Sequence, residues 1–179
     1  MNAAGEAAAV WLEEAEGSTS QNVMFAGRST DGVWTEPATL VKGSTFIQFP
    51  AVALNSSGTT VLAWQELTAG ILQVYAKFRD AQTGVWSERV AFSDDSFLLH
   101  GGFASVGLDE SGTTLITWRQ ADTQVPGSAS SSNVSKIRLC CSVAMPWAVD
   151  HMSVAVCSEV RLWRGRWRSK YDSIASCNI

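Results

Sequence analysis

Histidine is scarce. The 179 residues hold two, His100 and His151, and that leaves little from which to build a Ser/His/Asp triad. The run Gly102-Phe103-Ala104-Ser105-Val106-Gly107 has one residue too many for a Gly-x-Ser-x-Gly elbow. Tyrosine is equally rare, with only Tyr75 and Tyr171. No cysteine precedes Cys140, and Cys140, Cys141 and Cys157 with His151 lack ligand spacing such as Cys-x2-Cys. Adjacent cysteines do not readily face one ion, so free or disulfide-paired thiols are the expectation. No catalytic set, cofactor site or metal site is read from the sequence.

Long apolar runs are missing too. The best candidate for a membrane span, Val143 to Val156, is interrupted by Pro146, Asp150 and His151. Met1 to Glu14 has no basic start, and its short apolar run meets Glu13-Glu14, so no signal peptide is visible. Charged residues make up 17% of the chain against 46% apolar, which favours a packed globular fold over disorder. Helix-favouring charged stretches are few while Thr, Val, Ser and Gly abound, and that composition leans all-β.

What the chain has is tryptophan, eight residues of it, and a repeat. Asn55-Ser-Ser-Gly58 leads into a run ending at Trp64. A second run, Leu72 to Phe78, alternates strictly and leads to Gly84-Val85-Trp86. Asn2, Gly5 and Trp11 keep the first spacing upstream, and Asp109, Gly112 and Trp118 keep it downstream, a period of 53–54 residues. Strands are expected at 6–13, 21–28 and 33–40, then at 46–54, 59–65, 72–79 and 86–92, then at 103–108 and 113–120. In the Trp64 run Thr60, Leu62 and Trp64 share one face while Val61 and Ala63 share the other. Apolar groups on both faces imply a strand between two neighbouring sheets. The repeat Gly residues supply turns with positive φ, and the repeat Trp residues fill space between sheets.

The pattern [Asn/Asp]-x-x-Gly-x5-Trp, followed after about 20 residues by Gly-x-Trp-[Ser/Thr], resembles bacterial β-propeller repeat proteins of the sialidase-like (BNR-type) kind. It is carried by the Asn, Gly and Trp residues just named together with Gly32 and Trp34, over residues 1 to about 124. The resemblance implies an all-β fold of antiparallel four-stranded blades of a β-propeller, incomplete at about two and a half clear blades. Blade 1 spans about 1–42, blade 2 about 46–93, and blade 3 starts near 102. It implies a non-catalytic binding or scaffold module for a protein or glycan ligand, at the cell surface or secreted. The alternative is the remnant of a sialidase-like glycoside hydrolase propeller. Such enzymes need an arginine cluster and a tyrosine nucleophile, yet Arg28 and Arg79 sit at equivalent repeat positions, as a repeat consensus would place them. The sialidase aspartate box, Ser-x-Asp-x-Gly-x-x-Trp, is also unmatched, because Ser29 to Trp34 is two residues too short. Propellers close with about four to eight blades, so an open arc is expected to self-associate through its bare sheet faces, or to belong to a longer repeat protein.

Residues 126–179 break the pattern. Residues 1–125 carry six Lys/Arg against fourteen Asp/Glu, a net −8, whereas the remainder carries seven against three, a net +4, and all the cysteines. This part reads as a divergent blade or an unrelated basic tail. Pro126 to Asn133 reads as a Gly/Ser loop. If Arg161–Lys170 is extended, Arg164, Arg166, Arg168 and Lys170 line one face. With Arg161 they are the candidate anion-binding residues, for phosphates or anionic lipid. Any affinity for nucleic acid would be non-specific and would fall steeply with salt.

Overall fold

The structure, a computed structural model, describes residues 1–44, 46–92, 104–121, 135–142, 154–163 and 166–169. Every regular element among them is a strand, and all pairing is antiparallel. The first sheet is β1 (Ala7–Glu14), β2 (Gln21–Arg28) and β3 (Ala38–Ser44), in that order. The second is β4 (Ile47–Leu54), β5 (Thr60–Thr68), β6 (Ile71–Arg79) and β7 (Val90–Ala91). The third runs from β8 (Ser105–Leu108) and β9 (Thr114–Ala121) through β10 (Ser135–Ser142) and β11 (Val154–Trp163) to β12 (Arg166–Ser169). By the repeat spacing β1, β5 and β9 are equivalent strands, and β4 lies beside β1 on one side and β8 on the other.

One turn recurs ahead of each of these strands. The N–H of Gly5, Gly58 and Gly112 donates to the carbonyl of Asn2, Asn55 and Asp109 at 3.2, 3.2 and 3.1 Å. The three glycines have φ of 88°, 88° and 87°, a conformation that costs glycine nothing and other residues a steric penalty. The Asn-x-x-Gly spacing is thus the spacing of this turn. Between β5 and β6 a two-residue turn, Ala69-Gly70, has positive φ at both positions, which matches the twist of a tight hairpin.

The core lies between sheets. Leu62, Trp64 and Tyr75 of the second sheet pack with Val10, Leu12 and Val23 of the first. Ala63, Val74 and Ala76, on the opposite face of the second sheet, pack with Ala104, Ile116 and Trp118 of the third. Trp64 and Trp118 are 0% and 2% exposed and hold matching places, each on the strand that enters from the recurring turn. The two-sided apolar pattern of β5 therefore has the expected cause. Pro50 sits on an edge strand, at a register shift between Gln48 and Ala51 where Phe49 has φ 51°, so its missing N–H costs the ladder nothing.

Two expected strands begin later than their sequence suggests. Trp34 and Trp86 make only isolated bridges, to Arg28 and Arg79, and the strands proper start at Ala38 and Val90. Side chains take over the ladder there: Gly27 N–H donates to Thr35 Oγ1 at 3.1 Å and Phe78 N–H to Ser87 Oγ at 3.1 Å. Pro37 has no N–H to offer before Ala38. Beyond residue 125, β10 pairs with β9 from Ser135↔Ala121 to Ser142↔Thr114, and β11 continues the sheet. Val154–Trp163 is one strand. The Gly/Ser stretch 126–133 and Trp147 lie outside the described residues.

Trp64→Ala should lower stability by about 3–5 kcal/mol, as expected for a large side chain removed from a closed core. Trp34→Ala, at a half-exposed equivalent of Trp86, should cost less than about 1 kcal/mol. Denaturant melts of both variants check this; a Trp64 loss as small as that of Trp34 would reject the inter-sheet role.

Candidate functional site

The repeat turns do more than reverse the chain. Oδ1 of Asn2, Asn55 and Asp109 accepts the N–H four residues on, from Glu6 at 3.0 Å, Thr59 at 3.0 Å and Thr113 at 2.7 Å. The amide Nδ2 of Asn2 then donates across the sheet boundary to the Asn55 carbonyl at 3.0 Å, and Nδ2 of Asn55 donates to the Asp109 carbonyl at 3.1 Å. Each asparagine closes its own turn with its oxygen and locks onto the next turn with its nitrogen. Ser56 N–H and Oγ add contacts to Glu110 Oε2 across the second boundary. Asp109 has the oxygen but no amide, so this ladder ends at the third turn.

The only ion pair among the described residues sits between the first two sheets. Arg89 Nη1 donates to Glu66 Oε2 at 2.9 Å, and Trp64 Nε1 donates to the same oxygen at 3.1 Å. The Arg89 guanidinium lies 4.7 Å from the Tyr75 ring centroid, and Tyr75 stacks on Trp64 at 5.8 Å. The Tyr75 hydroxyl donates to Gln73 Oε1 and lies 3.1 Å from Thr68 Oγ1. This tyrosine is thus held by neighbours in its own hairpin rather than by Glu66. Here the carboxylate satisfies a buried indole N–H and a cation, a packing task. The sequence signal was the charged residue two positions after the repeat tryptophan, on the same face of the strand.

Arg28 and Arg79 occupy equivalent places, as expected. A Cβ on Gly32 would lie 2.9 Å from Arg28 Nη2, and one on Gly84 would lie 3.1 Å from Arg79 Nη2. Each guanidinium therefore covers the glycine of its own turn, and Arg28 also donates to the Gly5 carbonyl at 2.9 Å. Both line a cleft of about 190 Å³ between the first two sheets, with Glu6, Ser29, Thr35 and Thr60. That is smaller than the roughly 300–1,000 Å³ of ordinary ligand pockets. Among the described residues no group of three or more His, Cys, Asp or Glu could hold a metal ion, and no helix is long and apolar enough to cross a membrane.

The basic run near the C-terminus does not continue as one strand. β11 and β12 pair antiparallel, with Arg161 opposite Arg168, Leu162 opposite Trp167 and Trp163 opposite Arg166. Arg164 and Lys170 lie outside the described residues.

The feature that stands out is the free face of the first sheet. Trp11 is the counterpart of Trp64, and strand alternation puts it opposite Val10 and Leu12, which pack toward the second sheet. It is partly exposed where Trp64 is fully buried. Trp34 is 49% exposed, whereas its counterpart Trp86 packs edge-on against Phe25 of the preceding sheet at 5.1 Å. At the other end Leu115, on the face of the third sheet turned away from the second, is 39% exposed while its counterpart Val61 is fully buried. No protein-family model matches the chain, and no curated protein matches it.

Asn55→Asp should keep the turn, because Oδ1 remains, and lose the bond to the Asp109 carbonyl, costing about 0.5–1.5 kcal/mol. Asn55→Ala should cost more, since it removes both functions; equal losses in denaturant melts would show that the cross-sheet bond contributes nothing.

The turn aspartates give a pH dependence. The Ser111 hydroxyl, then the Thr113 and Ser111 N–H groups, hold the Asp109 carboxyl below its ordinary value of 3.8. The Ser29 hydroxyl and Val33 N–H do the same for Asp31. For Asp80 burial pulls upward, but Thr83 N–H, its hydroxyl and Gln82 N–H outweigh it. A carboxyl whose value is lower in the folded state contributes stability that is complete above the unfolded value and is lost as pH falls below it. Melting temperature should therefore be flat down to about pH 5 and drop below about pH 4. Replacing the three aspartates with Asn should flatten that drop, and an unchanged acid limb would contradict the assignment.

Proposed function

We propose that the chain is a non-catalytic binding or scaffold module whose sheets are blades of a β-propeller. The observation that carries this is the repetition of one inter-sheet junction. The same tryptophan, the same turn and the same asparagine-to-carbonyl bond recur between the first and second sheets and between the second and third, in step with the 53–54-residue period. Sheets that meet face to face through one repeated turn and tryptophan are how blades are arranged around an axis. The polar residues that could suggest chemistry are occupied in this repeat: Glu66 with Trp64 and Arg89, Tyr75 within its hairpin, Arg28 and Arg79 over their turn glycines. Ligand recognition then falls to the loops and faces of the blades, with a protein or glycan as the partner class. The resemblance to sialidase-like repeats suggests the cell surface or the secreted proteins as the setting of such a module.

A glycan panel and a fluorogenic sialoside test this reading together. The expected result is glycan or protein binding with no turnover of the sialoside. Turnover lost on Tyr75→Phe would overturn the non-catalytic reading in favour of a glycoside hydrolase remnant.

A further inference from the structure

We infer that two copies of this chain associate head to tail, the free face of the first sheet in one copy receiving the outward face of the third sheet in the other. The inference rests on the blade reading above and deepens it by naming the partner.

The argument is one of repeat equivalence. Inside the chain the face bearing Leu62 and Trp64 docks on the sheet before it, and the face bearing Val61 and Ala63 is covered by the sheet after it. The first sheet presents the first kind of face, with Trp11 and Trp34, and the third presents the second kind, with Leu115 and Thr117. Each end thus exposes what the interior buries, and the two ends are complementary to each other rather than to themselves. Trp34 is 49% exposed and Leu115 39%, against a fully buried Val61. Such an interface is heterologous, and it closes into a ring only if the rotation allows.

The turn ladder marks the junction. The Asn55 carbonyl accepts both Gly58 N–H and the amide of Asn2, whereas the Asn2 carbonyl accepts only Gly5 N–H among the described residues. At a junction between copies the residue brought to it would be Asp109 of the other copy, which has no amide to donate. The inter-copy junction therefore lacks a bond that both internal junctions have, and it is the weaker kind. Asp109→Asn supplies the donor and leaves the turn-closing Oδ1 in place.

Sedimentation velocity on the full chain over a concentration series tests this. Wild type should form pairs. Trp34→Glu and Leu115→Asp should each be monomeric, with circular dichroism and tryptophan emission showing that both remain folded. Mixing the two variants should restore pairs, because each keeps the face the other has lost. Asp109→Asn should tighten association by about 3- to 10-fold per junction. Wild type that stays monomeric overturns the inference, as does a Leu115→Asp variant that still pairs, or a mixture of folded monomeric variants that fails to pair. Growth beyond pairs that both variants abolish would keep the head-to-tail contact and reject a closed pair. Pairing without any glycan or protein ligand would separate the fate of this inference from that of the binding role.

Discussion

A sheet with two apolar faces is stable only if something lies on each side of it, and the middle sheet of this chain meets that condition through its two neighbours. β5 buries Leu62 and Trp64 one way and Val61 and Ala63 the other, and the first and third sheets exist in their present positions because those faces must be covered. Among the described residues the end sheets have one covered face each, and their repeat residues show it in their exposure. Both the internal order and the exposure at the two end sheets follow from this single requirement.

Hydrophobic packing alone would leave the sheets free to slide over one another, since it has no direction. The asparagine ladder supplies the direction. Asn2 and Asn55 each use one polar side chain to close a turn and to bond the neighbouring turn, so each junction is fixed at one corner by a bond with a required geometry. The Trp64–Glu66–Arg89 group, all within the second sheet, gives a buried indole N–H its acceptor on the face turned to the first sheet. Replacing asparagine by aspartate at residue 109 keeps the turn and drops the cross-sheet bond, a change of one atom that decides whether the ladder can go on.

Much of the fold was legible in the sequence, and the reason is periodicity. The strict alternation of Leu72 to Phe78 and the two-faced run before Trp64 announce strands of known orientation, and the period announces that whatever one repeat does the next will do. The late starts of β3 and β7 were not legible, because the hydroxyls of Thr35 and Ser87 displace ladder bonds only once the neighbouring strand is in place. Nor was the division of the basic run into β11 and β12, which depends on pairing between strands rather than on any property of Arg161 or Arg168 alone. For the candidate face, sequence pointed to bare sheet faces at the ends of an open arc, but not to which tryptophans would be exposed.

The amino-acid sequence by itself determined the class of structure, the strand faces, the turn chemistry and the spacing of the repeats, because each of these is set by neighbours within a few residues or by copying at a fixed interval. Only the tertiary structure decided which of several identical tryptophans is closed and which is open. Trp11, Trp64 and Trp118 carry the same local signal, and nothing in their flanking residues separates them. Their burial depends on whether another sheet lies over them, and that is a fact about the stack of sheets, not about the strand.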